Sequence, residues 1–234
     1  MARLAIIGKE RTVGEPEPET RLMLEGLHAP VPVVDAGTHL VLYRHGLDEY
    51  VAPHRIDHVA NLRALHDLGC DRIMAVSSVG ALRTSLPVGS FLVPDDFIAL
   101  DHAPIAASND ERQHVVPAFS PTWRTAVLDA WRSHVDELVV DRGVYWQVNG
   151  PRFETPAEIR MVAQFADVVG MTVGSECTAA CQLGLDYAAV CVVDNLANGI
   201  GERPLTREEY ERGQEMNQRR LADALAAVVP ALLP

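Results

Sequence analysis

The stretch VYWQVNGPRFET, residues 144–155, places a cation, an aromatic ring and a carboxylate directly after a short apolar run. The apolar half predicts a buried strand, and the Asn-Gly-Pro sequence at 149–151 predicts where that strand ends. Arg152, Phe153 and Glu154 then follow in succession. Because ligands of open α/β sheets bind beyond the carboxyl ends of the strands, these three side chains predict a binding site.

Other predicted strands also end in glycine or in polar residues that a ligand can contact. Each end has a plain structural explanation when taken alone, since Asp-Asn is a common turn and Arg-His a common surface pair. Glu154 itself fits the first turn of a following helix, where negative charge is favourable. Taken together, the ends favour one shared ligand site at the edge of the sheet. They are residues 8–10, 44–46, 77–80, 149–154, 171–172 and 194–195.

The elements that must position these residues alternate between short apolar runs and longer helical patterns. This alternation predicts one α/β domain over residues 1–234, in which helices cover both faces of a mainly parallel sheet. Thr206 is the predicted N-cap of the last helix, with Glu209 as its capping-box partner. Runs rich in Val, Ile and Leu predict strands at 3–8, 30–37, 39–46, 72–80, 90–98, 142–150, 167–174 and 187–195. Helical spacing predicts helices at 58–69, 122–135, 155–165, 175–184 and 206–229.

Composition limits the classes of partner and compartment. The 234 residues are 48% hydrophobic and carry a formal charge of -12 without a basic cluster, which argues against nucleic acid as a partner. Four cysteines at irregular spacings are typical of free thiols in a reducing compartment, so we predict a cytoplasmic protein. The first apolar run is too short for a signal peptide, and no stretch has the roughly 18 apolar residues of a membrane span.

Seven motifs follow one another along the chain from residue 44 to residue 195. They are RHG at 44–46, PHRIDHVANLRAL at 53–65, SSVGAL at 77–82, VGSFLVPDDFI at 88–98, GPRFETPAE at 150–158, VGMTVGSE at 169–176 and VVDN at 192–195. In this order they resemble the trimeric purine nucleoside phosphorylase and methylthioadenosine phosphorylase family, and the combination of GPRFET with GMT and the following Glu176 is the most specific part of the resemblance. The resemblance implies an α/β fold with a central mixed sheet, a homotrimer, no metal, and no cofactor, with phosphate as co-substrate for cleaving a purine N-glycosidic bond.

The resemblance assigns the purine base to three side chains. Phe153 would stack on the base, Glu154 would accept a hydrogen bond from N1–H, and Asn195 would reach O6 and N7. Groups that bind the departing purine more strongly in the transition state lower the barrier, which makes Glu154 and Asn195 the expected catalytic residues. Family members that act on aminopurines present carboxylates instead. We therefore expect a 6-oxopurine nucleoside of the inosine, guanosine or 5'-methylthioinosine type.

The same resemblance assigns the other strand ends to the sugar and the phosphate. Arg44 would offer phosphate a forked pair of donors, and Met171 would lie under the ribose. The 5' substituent of the sugar is left open, although Leu205 in the segment 199–210 makes an apolar group compatible. The expected phosphate contacts are Arg44, His45, Ser77 and Thr172, and the further substrate contacts are Ser78, Val79, Gly80, Met171, Ala197 and Leu205.

The first strand departs from the family pattern at the turn that would cradle phosphate. Residues 8–12 read Gly-Lys-Glu-Arg-Thr in place of a glycine-rich turn, and we assign Lys9 and Thr12 to phosphate in its stead. Two alternatives therefore stay open. One is a purine nucleosidase that uses water, in which Asp194 would protonate N7 of the base. The other is a non-catalytic, nucleoside-binding member of the family.

Overall fold

The computed structural model describes residues 3–8, 21–24, 30–100, 105–201 and 206–233. The strands within these ranges form one sheet of eleven strands. Six pairings in it are parallel and four are antiparallel, which confirms the predicted mixed, mainly parallel sheet. The strands are β1 (Leu4–Gly8), β2 (Arg21–Leu24), β3 (Val31–Asp35), β4 (Leu40–Tyr43), β5 (Arg72–Ala81), β6 (Phe91–Val93), β7 (Asp96–Ile98), β8 (Val139–Asp141), β9 (Val144–Gln147), β10 (Val168–Gly170) and β11 (Asp186–Leu196).

The sheet divides at its central strand, β5. Along one side β5 pairs with β11 over its whole length, in parallel. Along its other side it pairs first with β1 and then, at Gly80 and Ala81, with the antiparallel β10. One branch continues through β1, β4, β3 and β2, and the other through β10, β9 and β7. The carboxyl-terminal halves of β5 and β11 therefore lie where the two branches separate.

Helices cover both faces of this sheet, as predicted. In one layer α1 packs against α4, and in the other α2 packs against α5. Each layer buries its own apolar core against the sheet, with Leu62 and Cys177 in the first core and Trp131 and Val228 in the second, all at 0% exposure. The helices of the described residues are α1 (His58–Asp67), α2 (Pro121–His134), α3 (Pro156–Val162), α4 (Val173–Leu183) and α5 (Arg207–Leu232), with short 3-10 turns at Pro53–Arg55 and Glu111–His114.

Helix α3 begins with a capping box formed by Thr155 and Glu158, and Arg152 pairs with the same glutamate. The Thr155 hydroxyl accepts from the backbone N–H of Glu158 at 3.3 Å, and the Glu158 carboxylate accepts from the backbone N–H of Thr155 at 2.7 Å. Arg152 donates both ends of its fork to the same carboxylate at 2.8 and 2.7 Å. The N-terminus of α3 is thus capped by Glu158 and not by Glu154. The Glu154 carboxylate is therefore available to a ligand in the cavity that it lines.

Several element boundaries differ from the predicted ones for local reasons. The predicted strand 90–98 is two strands, β6 and β7, because Pro94 has no N–H to continue the ladder. The predicted strand 167–174 ends at Gly170, and Val173 already begins α4. Strands β2 and β8 were not predicted, since four and three residues are too few to show a period. Thr206 precedes α5 as predicted, whereas the side chain of Glu209 lies outside the described residues.

Candidate active site

A cavity of about 790 Å³ lies at the carboxyl-terminal halves of β5 and β11. Every described residue that was assigned above to the base, the sugar or phosphate lines this cavity, and together they come from five separate segments of the chain. Arg152, predicted with Phe153 and Glu154, does not line it, and its guanidinium pairs with Glu158. The predicted residues Lys9, Thr12 and Leu205 lie outside the described residues. The thirteen residues brought together are Arg44, His45, Ser77, Ser78, Val79, Gly80, Phe153, Glu154, Met171, Thr172, Asp194, Asn195 and Ala197.

Three of these side chains can recognise a planar base. The Phe153 ring is 42% exposed and packs edge-on against Tyr210, with ring centroids 5.0 Å apart. Burial raises the pKa of the Glu154 carboxyl, because its charged form loses hydration. The Asn195 amide donates from Nδ2 to the Leu196 carbonyl at 2.8 Å, which fixes the direction in which the amide faces. The cavity thus presents an open ring, a carboxylate and an oriented amide.

A close approach of two chain segments brings Met171 near the same wall. Gly150 has a φ of +67°, a conformation that residues with a side chain rarely adopt. A Cβ at this position would also lie 3.1 Å from the Met171 methyl carbon and nearer still to its sulfur. The Asn-Gly-Pro turn after β9 therefore needs glycine so that Met171 can line the cavity.

A second group of side chains can hold an anion. The hydroxyls of Ser77 and Thr172 lie 3.4 Å apart, and both residues are 4% exposed. Thr172 stands immediately before α4, where helix N–H groups and the helix dipole favour negative charge. Its own N–H donates to the Tyr145 hydroxyl at 3.1 Å, which ties the start of α4 to strand β9. Two buried hydroxyls therefore face one part of the cavity beside the start of α4, where the N–H groups of Val173 and Ser175 donate to Tyr145 and Gln147.

His45 is held in one orientation by two neighbours. Its ring stacks on Tyr50 with centroids 5.5 Å apart, and its Nδ1 lies 2.9 Å from the Val51 carbonyl oxygen. A carbonyl oxygen only accepts, so we assign the proton to Nδ1. In the neutral ring Nε2 is then an acceptor, and it donates to an anion only when the imidazole is protonated.

Arg44 lines the cavity, but its forked edge is turned away from the predicted ligand. Nε donates to one oxygen of Glu176 at 2.6 Å and Nη2 donates to the other at 3.1 Å. Nη1 donates to the Val76 carbonyl at 2.7 Å and Nη2 to the Ile7 carbonyl at 3.3 Å. A guanidinium has five N–H donors, so one on Nη1 is left. Glu176 takes the fork, so one N–H of Arg44 is left for an anion in place of the expected forked pair.

Asp194 is part of a network that joins β5, β11 and α5. One of its carboxylate oxygens accepts from the Ser78 hydroxyl and the other from Nδ2 of Asn217 at 2.8 Å. A β-bulge between Val193 and Asn195 makes Asp194 the extra residue of the strand, which re-aims its side chain. Side chains of β5 and α5 thus hold both carboxylate oxygens of Asp194 in place at the cavity wall.

Helix α5 supplies a wall of the cavity that sequence analysis missed. The α5 residues that line the cavity recur every three to four positions, so they lie on one face of the helix. Most of them are polar. A polar stripe on an otherwise amphipathic helix is the signal that would have found them. Tyr50, which stacks on His45, was also missed. The α5 wall consists of Arg207, Tyr210, Glu211, Gln214, Glu215, Asn217, Gln218 and Leu221.

The described residues contain neither a cluster of metal ligands nor a membrane-spanning helix. No group of three or more His, Cys, Asp or Glu side chains is placed to hold a metal ion among these residues. No helix in the described ranges is both long and apolar enough to cross a membrane.

Comparisons with known proteins agree with one another. The family model described as Phosphorylase superfamily matches residues 9–230. The chain is 42% identical over 183 residues to a protein of Archaeoglobus fulgidus named probable 6-oxopurine nucleoside phosphorylase, a match that covers 78% of this chain and 75% of the relative. It is 35% identical over 191 residues to a probable S-methyl-5'-thioinosine phosphorylase of Methanocaldococcus jannaschii, covering 80% and 76%.

A solved structure shares the fold. Methylthioadenosine phosphorylase from Schistosoma mansoni in complex with adenine matches with a TM-score of 0.81 over 98% of this chain and 91% of that chain. The two sequences are 20% identical, so this likeness concerns the arrangement of the elements rather than the substrate.

Proposed function

Because the chain belongs to the phosphorylase superfamily, we propose that it is a purine nucleoside phosphorylase acting on 6-oxopurine nucleosides. Its relatives support purine nucleoside phosphorylase activity, which makes it a pentosyltransferase. In the proposed reaction the bond between C1' of the sugar and N9 of the purine breaks. An oxygen of phosphate bonds to C1', and the products are the free base and a sugar 1-phosphate.

The base contacts act on the charge that develops as this bond breaks. The departing purine takes the bonding electron pair, so hydrogen bonds to it strengthen in the transition state. Glu154 accepts from N1–H of the base. Asn195 gives one amide N–H to the Leu196 carbonyl and donates the other to N7 and O6 of the base, which lie side by side. Phe153 stacks on the ring. A carboxylate together with an amide matches a 6-oxopurine, whose N1 carries a proton and whose N7 and O6 both accept.

The phosphate is held on the other side of the reacting carbon. Ser77 and Thr172 donate through their hydroxyls, and Arg44 contributes its one remaining N–H. His45 adds a further donor when its ring is protonated. The start of α4 adds the favourable field of a helix N-terminus. Lys9 and Thr12 belong to the proposed phosphate contacts as well, from the segment that follows β1.

One observation carries the proposal more than any other. A base-recognising set and an anion-holding set line the same cavity of about 790 Å³, although they come from segments far apart in the sequence. A binding protein for nucleosides has no need of the second set, and a hydrolase has little use for buried anion donors. Their presence together supports transfer of the sugar to phosphate.

The α5 wall bears on the 5' end of the sugar. Gln214 donates from Nε2 to the Tyr210 hydroxyl at 2.6 Å, and Glu211 and Gln218 lie on the same face of the helix. A polar wall can exchange hydrogen bonds with a sugar hydroxyl, whereas a methylthio group offers it no hydrogen-bond donor and only a weak acceptor. We therefore propose inosine or guanosine ahead of 5'-methylthioinosine.

The test is an assay of base release with inosine and with 5'-methylthioinosine, in phosphate buffer and in phosphate-free buffer. We expect the rate to saturate with phosphate and the sugar to appear as the 1-phosphate. We also expect inosine to have the higher kcat/KM. Identification of the sugar product by mass spectrometry separates phosphorolysis from hydrolysis.

Free sugar released at equal rates in both buffers would reject phosphorolysis and favour the nucleosidase. Binding of nucleoside without turnover in either buffer would favour the non-catalytic alternative. Faster cleavage of 5'-methylthioinosine would overturn only the assignment of the 5' group.

A further inference from the structure

Glu176 is a buried carboxylate that the proposed reaction leaves without a role. It lies on α4, is 1% exposed and does not line the cavity. A carboxylate in such a place is unfavourable unless it is paired with a cation and hydrogen-bonded. Its partners therefore indicate its purpose.

The two oxygens of Glu176 hold the forked edge of Arg44. Oε1 accepts from Nε at 2.6 Å, and Oε2 accepts from Nη2 at 3.1 Å. Oε2 also accepts from the Tyr187 hydroxyl at 2.7 Å, and His58 Nδ1 lies 3.9 Å from Oε1. A forked pair of this kind sets the plane of the guanidinium as well as its distance.

Backbone carbonyls fix the other side of the same guanidinium. Val76 on β5 accepts from Nη1 at 2.7 Å, and Ile7 on β1 accepts from Nη2 at 3.3 Å. The group is thus held between the sheet and α4 by four hydrogen bonds. Because Arg44 lines the cavity, its remaining Nη1 donor has a direction that these contacts determine.

Glu176 is also tied to a second residue of the anion-holding set. Its backbone N–H donates to the Thr172 carbonyl at 3.1 Å, one helical turn earlier. The Thr172 hydroxyl lies beside that of Ser77 in the cavity wall. The first turn of α4 therefore links the carboxylate that orients Arg44 to a hydroxyl that faces the anion.

We propose that Glu176 is a positioning residue for phosphate, which holds Arg44 so that a single guanidinium N–H faces the anion. The inference rests on the proposed function, since it takes the anion to be phosphate. Because Glu176 cancels the charge of Arg44, this part of the site selects phosphate by the direction of its donors rather than by excess positive charge.

The variant Glu176→Asp tests this directly. It keeps the charge but is shorter by one methylene, so it cannot reach both nitrogens of the fork. We expect the KM for phosphate to rise by about 10-fold or more, the loss of one charged hydrogen bond. At saturating phosphate, kcat and the KM for inosine should stay close to wild type.

Tyr187→Phe is the matched control, because it removes a hydrogen bond to the same carboxylate without touching Arg44. It should lower the melting temperature and leave the KM for phosphate unchanged. Glu176→Gln is a second variant that keeps the size of the side chain. Its amide N–H would face an N–H of Arg44, so the KM for phosphate should rise in this variant too. Glu176→Gln therefore tests the inference even if Glu176→Asp does not fold.

Phosphate-dependent melting gives a readout that does not depend on turnover. A variant that binds phosphate about 10-fold more weakly should need about 10-fold more phosphate for the same rise in melting temperature. Wild-type phosphate dependence is measured first, and its absence would overturn the proposed function together with this inference. Saturation in wild type with an unchanged KM for phosphate in the folded Glu176 variants would overturn the inference alone. An equal rise in the KM for phosphate in Tyr187→Phe would also overturn the inference alone.

Discussion

At the scale of single residues, the environment of Glu154 sets the acid limit of the proposed reaction. Burial raises the pKa of this carboxyl, and the nearby charge of Glu158 raises it further, whereas Arg152 acts in the opposite direction. Glu154 must be ionised to accept from N1–H of the base. Activity should therefore be lost as the pH falls through a pKa that lies above the usual range of a glutamate.

The measurement is a pH profile of kcat/KM for inosine at saturating phosphate. We expect an acid limb in wild type that disappears in Glu154→Gln, whose amide does not titrate. An acid limb that is unchanged in Glu154→Gln would assign it to another group.

A second prediction at this scale concerns the choice of base. Asn195→Asp replaces a group that donates to a 6-oxopurine by one that only accepts, so preference should move from inosine toward adenosine. The ratio of kcat/KM for inosine to that for adenosine measures the preference.

Glu154→Ala should cost about 2–4 kcal/mol of transition-state stabilisation if Glu154 makes its hydrogen bond to the base in the transition state. The ratio of wild-type to variant kcat/KM for inosine measures the cost of Glu154→Ala. Wild-type preference for adenosine would contradict the assignment of the base contacts.

At the scale of elements, α5 packs directly on β11 beside the site. Gly213 lies in the second turn of α5, and a Cβ at this position would overlap the carbonyl oxygen of Asp194. Asn217, one turn further along α5, donates to the Asp194 carboxylate and to the Val193 carbonyl. The helix can form the wall of the cavity because glycine lets its backbone lie directly on the strand.

Gly213→Ala should therefore have the opposite effect to that usual in a helix. The substitution ordinarily stabilises an exposed helix interior by about 1 kcal/mol, but here the added methyl must push α5 from β11. We expect a loss of roughly 1–3 kcal/mol in the free energy of unfolding and a fall in kcat/KM. Urea denaturation measures the first effect.

The control for this variant is Arg219→Ala, at an exposed position of the same helix. A surface change of this kind should alter stability by no more than about 0.5 kcal/mol. Unchanged or increased stability of Gly213→Ala would show that α5 can move from the strand without cost.

At the scale of the whole molecule, we propose a homotrimer. Helix α1 packs against α4, and its exposed residues Arg63, His66 and Asp67 are polar. Met161 near the end of α3 and Phe165, three residues beyond it, are 53% and 60% exposed. Apolar side chains so exposed are a more suitable surface for a second subunit.

Multi-angle light scattering at micromolar protein tests the proposal and should give about three times the mass of the chain. Phe165→Asp should lower that mass if the end of α3 lies in a contact. A strict monomer would reject the trimer, and a trimer that is unaffected by Phe165→Asp would place the contact elsewhere.

Local patterns in the sequence were sufficient for most of the elements and for the ligand groups at strand ends. Apolar runs such as 72–80 and 187–195 became β5 and β11, and polar residues at their ends line the cavity. These predictions held because a buried strand needs a continuous apolar run, and because polar backbone and side chains must lie where the strand meets solvent. Short strands such as β8 escaped because three residues do not establish a pattern.

The sequence by itself thus determined the α/β fold, the order of the motifs and the kinds of side chain available to a ligand. Only the tertiary structure decided which of them pair with one another. Arg44 gives its fork to Glu176, 132 positions away, and Ser78 donates to Asp194 across 116 positions. Local periodicity carries no information about such pairings, because they depend on how strands and helices pack rather than on neighbouring residues. The polar stripe of α5 is present in the sequence, but only the packing of the helix on β11 decided that this stripe lines the cavity.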